Sequence, residues 1–296
     1  MKKLFWIPAL IVLFFVGDRV GGMVLEQMTK RSNFRYSRMY YQDADAEILL
    51  LGNSRGLMFY QPEVEKLTNK KSFNFSYNGM PIQMGEALVK DYLDKYKKPE
   101  LLLLDITCAD RNNSALIAGM SAYAPESPRL QDLIQQVNPT AAGAAKLTHL
   151  FRYNSEIWQR AMRYIKGSDE TWLNDREINQ FMIDQAVVEN PLDFTFSSEK
   201  ELKPEDLMNN IKSIVDYAKG KNIKVRLVVN PYFPPFFNRS NGFDNWKNKV
   251  EKTVGQKIYD YSTALKEAKY FTDYQHCNKV GSIEYLKLLK ADGLLD

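Results

Sequence analysis

Apolar and polar positions change pattern several times along the chain. After Met1-Lys2-Lys3 comes an unbroken apolar run over residues 4–16. Further on, short apolar runs alternate with amphipathic stretches. Residues 47–51 (EILLL) end at Gly52, the signature of a buried strand. Residues 72–76 (SFNFS) alternate and run into Asn78-Gly79, which predicts a second strand and a turn. Residues 83–96 place Met84, Ala87, Leu88, Leu93 and Tyr96 at helical spacing. Residues 101–106 (LLLLDI) and 224–229 (KVRLVV) predict a third and a fourth strand, the latter closed by Asn230-Pro231. Helices are predicted over 205–219 and 280–289. Continuous apolar strands with helices between them argue for an α/β domain whose parallel sheet is covered on both faces.

One stretch breaks this alternation. From Asp110 to about Lys203 the sequence has helical pieces at 129–137, 154–164 and 175–188 and is rich in aromatic residues, Trp158 and Trp172 among them. It reads as a helical insertion at one rim of the sheet, over about residues 111–203. A lid, a substrate surface and simple extra packing all fit it.

The first run gives an address. A basic start followed by a 7–15-residue apolar core is a secretory signal pattern. No small-x-small cleavage site follows in GDRVGGMVLEQM, so an uncleaved signal-anchor over residues 1–25 is expected. Thirteen helical residues span only about 20 Å, short of a hydrocarbon core of about 30 Å. Residues 17–25 would complete the crossing, with Asp18 and Arg19 near the interface. Lys2 and Lys3 should remain cytoplasmic, which places the rest of the chain outside the cytoplasm, periplasmic or at the cell surface. A buried N-terminal helix of a soluble protein is the alternative. Residues 26–46, polar and aromatic, read as a juxtamembrane connector, leaving 47–296 as the main domain.

Composition narrows the chemistry. The 296 residues are 45% hydrophobic and 26% charged, which fits a folded globular protein. A net charge of +4, from 40 basic and 36 acidic side chains, is too small for an electrostatic nucleic-acid binder. Two cysteines, Cys108 and Cys277, provide neither a disulfide framework nor a four-thiolate zinc site, and only two histidines are present. No metal and no cofactor is expected.

Two short segments carry candidate chemistry. In LLLGNSRG a strand runs straight into Gly52, Asn53 and Ser54; in FTDYQHCN, Asp273 stands three residues before His276. A serine hydroxyl becomes a nucleophile when a base takes its proton, and the base needs a carboxylate to fix its tautomer. Ser54, His276 and Asp273 supply those parts. A serine just past the carboxyl end of a strand also sits where α/β proteins place ligands. Singly, each has a plainer explanation: Ser54 as a helix cap, Asp273 as a turn residue, His276 as the start of the last helix. Jointly they point to a catalytic site. His149, in the insertion, has no acid nearby in sequence and reads as a packing or surface residue.

GNSRG also satisfies the G-x-S-x-G pattern of the α/β-hydrolase elbow. That fold is set aside, because the serine follows the first strand and the acid lies three residues before the histidine. The combination resembles the SGNH (GDSL-like) hydrolase family, and within it the membrane-anchored cell-envelope members. The resemblance covers about residues 47–110 and 224–289. It implies a three-layer, flavodoxin-like parallel sheet (the SGNH hydrolase fold), here with a helical insertion and an N-terminal membrane helix. It also implies Ser54 as nucleophile, His276 as base and Asp273 as its orienting acid. The oxyanion hole would be formed by the Ser54 N–H and by Gly79 in NFSYNGMP. Two departures stand out: Asn53 replaces the usual Asp of the first block, and DITCADRNN lacks the G-x-N-D third block. Asn112 or Asn113 is left as a candidate side-chain donor.

The resemblance implies a membrane-anchored esterase that removes a small acyl group, such as acetyl, from a cell-envelope glycan. Transfer of the acyl group to a sugar hydroxyl is the close alternative; a non-catalytic envelope binding or assembly module is the rival from another class. Three details complete the expectations. Cys108 and Cys277 are read as free, partly buried thiols, with a bridge left open. The aromatic-proline run Tyr232, Phe233, Phe236 and Phe237 serves either a sugar platform or plain packing. Of the sequons at Asn74, Asn112 and Asn238, the first falls within a predicted strand.

Overall fold

The computed structural model describes residues 6–107, 113–169 and 204–296. The chain begins with α1 (Trp6–Arg31) and α2 (Arg35–Tyr41). It continues through β1 (Ile48–Leu51), α3 (Gln61–Thr68), β2 (Ser72–Asn74), α4 (Ile82–Lys95) and β3 (Leu101–Asp105). Next come α5 (Ser114–Ala118), α6 (Pro128–Val137), α7 (Pro139–Leu147) and α8 (Glu156–Arg163). After α9 (Pro204–Gly220) follow β4 (Lys224–Val229), α10 (Pro234–Phe237), α11 (Phe243–Val254), β5 (Ile258–Asp260) and α12 (Lys279–Ala291). The described residues form two compact units, one from 6–44 with 113–169 and the other from 45–107 with 204–296.

The second unit is α/β. Its five strands lie in the order β2-β1-β3-β4-β5, and every pairing is parallel. That is the doubly wound order in which the connections reverse direction between β1 and β3, leaving a crevice at their carboxyl ends. Helices α4, α9 and α11 pack together, and α3 packs on α12. The two central strands β1 and β3 are covered because their sequences are almost wholly apolar: all four residues of β1 and all five of β3, Asp105 included, are buried. Ile48, Leu50, Leu103 and Val228 share one core with Phe59, Val64, Tyr285 and Leu289. Each such aliphatic side chain contributes about 1.5–3 kcal/mol by leaving water.

The expected strands are found, with β2 ending at Asn74 and β3 at Asp105. The strand β5 and helices α3 and α11 were not foreseen. The helical pieces expected at 129–137 and 154–164 correspond to α6 and α8, while the piece at 175–188 lies outside the described residues.

The other unit is helical. Its α1 runs on to Arg31, past Leu25, and Arg35–Tyr41 of the expected connector forms α2. Helix α1 is long and apolar enough to cross a membrane by length and composition. Its C-terminal half is also built into the unit. Asp18 Oδ2 and Oδ1 accept the backbone N–H groups of His149 and Leu150 at 2.8 and 2.9 Å. Farther along, the Trp158 indole N–H donates to Thr29 Oγ1 at 3.0 Å, and Ser32 Oγ donates to the Ala161 carbonyl at 2.6 Å. Arg35 closes this end with a buried ion pair to Asp169, 2.8 Å from Nε to Oδ2. His149 therefore has an acid beside it after all, 131 residues away in sequence and met through its main chain.

Candidate active site

Strand β1 delivers Ser54 to the carboxyl edge of the sheet, beside the β1/β3 crevice. The turn that follows is tight. A Cβ on Gly52 would lie 2.6 Å from Gly56 Cα, so that position requires glycine, whereas a Cβ on Gly56 would meet the Ser76 hydroxyl, which would have to turn aside. Asn53 steadies the turn by accepting the Arg55 N–H at 2.9 Å through Oδ1. Ser54 opens a one-turn 3-10 helix, Arg55–Met58, but its side chain caps nothing there. The hydroxyl is committed elsewhere.

His276 comes from the loop ahead of α12. The i, i+3 spacing lets one carboxylate organise the whole turn: Asp273 Oδ1 accepts the N–H of Gln275 at 2.8 Å and of His276 at 3.0 Å. The same carboxylate reaches the imidazole, with both oxygens 2.9 Å from Nδ1. The opposite ring nitrogen, Nε2, lies 2.8 Å from Ser54 Oγ. Because Asp273 accepts, Nδ1 carries the proton and Nε2 is left to receive one. Burial alone would raise the Asp273 pKa, but the hydrogen bond and charge of His276 and the two backbone N–H groups outweigh it and hold the carboxyl below its usual range. Ser54 and His276 are half-buried, and Asp273 is buried.

The site also contains a residue that the sequence did not single out. Arg55, buried next to Ser54, donates from Nη1 to the carbonyls of Gln275 (2.7 Å) and Pro231 (3.2 Å), and from Nη2 to that of Asn230. Its Nε donates to Thr107 Oγ1 at 3.2 Å and stands 3.7 Å from the buried Asp105 carboxylate. The guanidinium lies 3.3 Å from the centre of the Tyr232 ring. Asn230 returns the contact, donating from Nδ2 to the Arg55 carbonyl at 3.0 Å while its Oδ1 accepts the Tyr285 hydroxyl at 2.6 Å. The loops after β1 and β4 and the loop carrying His276 are thus joined through one side chain.

Gly79 sits at a turn closed by the Met80 N–H to the Tyr77 carbonyl (3.1 Å), with φ of 68°. Positive φ at the third residue of such a turn favours glycine. Asn112 and Cys108 lie outside the described residues; the Asn113 side chain caps α5 by accepting the Leu116 N–H. Cys277 is a buried free thiol whose pKa burial pushes up to about 12. Asn74 is buried in β2 with its amide donating to the carbonyls of Gly56 and Phe59, so it is no glycan acceptor in the folded chain.

The aromatic run turns out to be mostly packing: Tyr232 covers Arg55, Phe233 meets Phe271 edge-on, and Phe236 leans on Tyr274. Phe237 stacks on Tyr232 and lines a cavity of about 380 Å³ with Asn238, Asp244, Asn245, Asp260 and Ser262. Among the described residues, no group of three or more His, Cys, Asp or Glu side chains is placed to hold a metal ion.

No protein-family model matches the chain, and no curated protein does. Among solved structures, the chain is similar to a Bacteroides fragilis protein described as a "putative acylhydrolase". The match has 13% identity and a TM-score of 0.38, and it covers 84% of this chain and 88% of that one. A likeness at that level bears on neither mechanism nor substrate.

Proposed function

We propose that this chain is a serine esterase of the SGNH type, anchored by α1, that removes a small acyl group from a cell-envelope glycan outside the cytoplasm. One observation carries the chemistry: Ser54 Oγ, the His276 imidazole and the Asp273 carboxylate are joined by hydrogen bonds of 2.8 and 2.9 Å. A serine and a histidine more than 200 residues apart in sequence meet there with the geometry of a nucleophile and its base.

In this reading His276 Nε2 takes the Ser54 proton as Oγ attacks the ester carbonyl. Asp273 keeps Nδ1 protonated and stabilises the imidazolium that forms. The N–H groups of Ser54 and Gly79 meet the developing oxyanion. Collapse of the tetrahedral intermediate expels the alcohol, which takes the proton from His276, and leaves an acyl-Ser54. Water, deprotonated by the same imidazole, then releases the carboxylic acid and restores the serine.

A serine-directed fluorophosphonate probe tests the chemistry on the detergent-solubilised full chain. Labelling of the wild type, absent in Ser54→Ala and strongly reduced in His276→Ala, is the expected result. A folded wild type that takes no label would overturn the proposal. Acetate release from an O-acetylated polysaccharide then tests the substrate class.

A further inference from the structure

Helix α1 carries an arithmetic that its own apolar run does not satisfy. Crossing about 30 Å of hydrocarbon at 1.5 Å per residue takes about 20 residues, and the run over 4–16 provides 13. The crossing must therefore continue to about Val24. The outward face of that continuation is suited to lipid: Val20, Met23 and Val24 are each about half exposed.

Its inward face at the same height is occupied. Asp18 is buried and accepts the N–H groups of His149 and Leu150, and Arg19 Nη2 donates to the Leu147 carbonyl at 3.2 Å. A Cβ on Gly22 would lie 2.6 Å from His149 Cβ, and one on Gly21 would lie 3.0 Å from Leu150 Cδ2. Paired glycines thus let residues 147–150 approach the helix backbone over the part that has to finish the crossing. A carboxylate in lipid is costly unless it is paired and bonded. Here both oxygens of Asp18 are bonded, and Arg19 stands 3.6 Å away.

What the docked segment shows to its surroundings is apolar. Leu147 is 63% exposed, and Leu150 and Phe151 are also exposed, while the basic Lys146 and Arg152 flank them. We propose that residues 147–151 of the helical unit sit in the bilayer interface beside α1, with Leu147, Leu150 and Phe151 in contact with lipid. The occupant of this patch is the membrane because the patch continues, at one level, the lipid-facing surface of the anchor. Lys146 and Arg152 then reach headgroup phosphates, as basic side chains at membrane boundaries do. Asp18 is the pin that holds the segment at that depth. The inference rests on α1 being an uncleaved membrane anchor.

Depth-dependent quenching tests both layers at once. The full chain, carrying Cys108→Ser, is given one new cysteine as Leu13→Cys, Leu147→Cys, Phe151→Cys or Lys166→Cys. Each variant is labelled with an environment-sensitive fluorophore and placed in phosphatidylethanolamine–phosphatidylglycerol vesicles with doxyl-labelled lipid. Lys166 follows Tyr164, which bonds to Asn33 just past the far end of α1, so its label reports on water. The expected result is loss of most emission at Leu13 with deep doxyl, loss of most emission at Leu147 and Phe151 with shallow doxyl, and none at Lys166. Quenching at Leu13 with labels at 147 and 151 as bright as at 166 overturns this proposal and leaves the anchor standing. An unquenched Leu13 overturns the anchor and the proposal with it. Labels at 147 and 151 shielded from both doxyl lipid and aqueous iodide would mean that another protein covers the patch, which also overturns it.

Discussion

Arg55 donates to the main-chain carbonyl of Gln275 at 2.7 Å, so the residue after Ser54 grips the residue before His276. The serine–imidazole distance is then set by a buried fork and not by the two side chains alone. Arg55→Ala removes a buried charge 3.7 Å from the Asp105 carboxylate together with the fork, and should cost about 3–5 kcal/mol of stability. Arg55→Lys keeps the charge but loses the planar fork and its stacking on Tyr232. That variant should fold, as urea unfolding would show. Its fluorophosphonate labelling should be slower than wild type under conditions where both are fully native. Wild-type labelling rates in a destabilised Arg55→Lys would assign the residue to stability alone.

The Asp273 carboxyl is held below its ordinary pKa, and this ties stability to pH with a definite sign. A depressed value means that the folded state favours the ionised form. The resulting stability is complete above about pH 4, the unfolded value, and is lost as pH falls through the lower folded-state value. Asp273→Asn should remove it. The stability gap between wild type and variant, from urea titrations, should shrink as pH falls below about pH 4. At neutral pH the same variant should lose about 10⁴ in kcat, because nothing then fixes the imidazole tautomer.

Gly52 and Gly56 face each other across the turn that presents Ser54, and the two positions should fail differently. A methyl at Gly52 meets the Gly56 main chain at 2.6 Å, and no rotamer relieves that contact. Gly52→Ala should therefore cost about 1–3 kcal/mol and slow serine labelling. A methyl at Gly56 meets the Ser76 side chain instead, so Gly56→Ala should be partly rescued by Ser76→Gly. Thermal melts of the two single variants and the double variant would check this. Rescue absent from the double variant would place the strain in the backbone.

How much of this could be read in the sequence follows from the distance over which each feature is determined. The strands β1 and β3 were legible because a strand buried on both faces needs a continuous apolar run, and β4 through the buried apolar run at its end, residues 227–229. The edge strand β5 was not: Ile258, Tyr259 and Asp260 grade from buried to exposed and leave no run to find. Helix α11 did offer a signal, with Phe243, Trp246, Val250 and Val254 on one buried face. The Asp273–His276 pair was legible because its turn is local. Arg55 was opaque, since an arginine after a serine reads as a surface charge until carbonyls from residues 230, 231 and 275 converge on it. Asp18, expected near a membrane interface, is buried by residues 149 and 150 for the same reason.

Cys277 adjoins His276 and turns burial into a measurable clock for the catalytic loop. Its thiol, raised to about 12, should present roughly a thousandfold less thiolate at pH 8 than an ordinary cysteine. In a Cys108→Ser chain it should resist thiol reagents while native and react promptly in urea. The same shift sets an alkaline limit. An acid group whose folded value is raised gives stability that is complete below about pH 8.5 and is lost as pH climbs toward the folded value. Stability should therefore fall more steeply above about pH 9 in the Cys108→Ser chain than in Cys108→Ser/Cys277→Ala. Because Cys277 pairs with Phe271 across the loop that also holds Asp273, any native-state labelling measures opening of that loop. Phosphonylation of Ser54 by a fluorophosphonate, with loss of fluoride, should slow such opening, whereas an unchanged rate would separate the loop's motion from the occupancy of the serine.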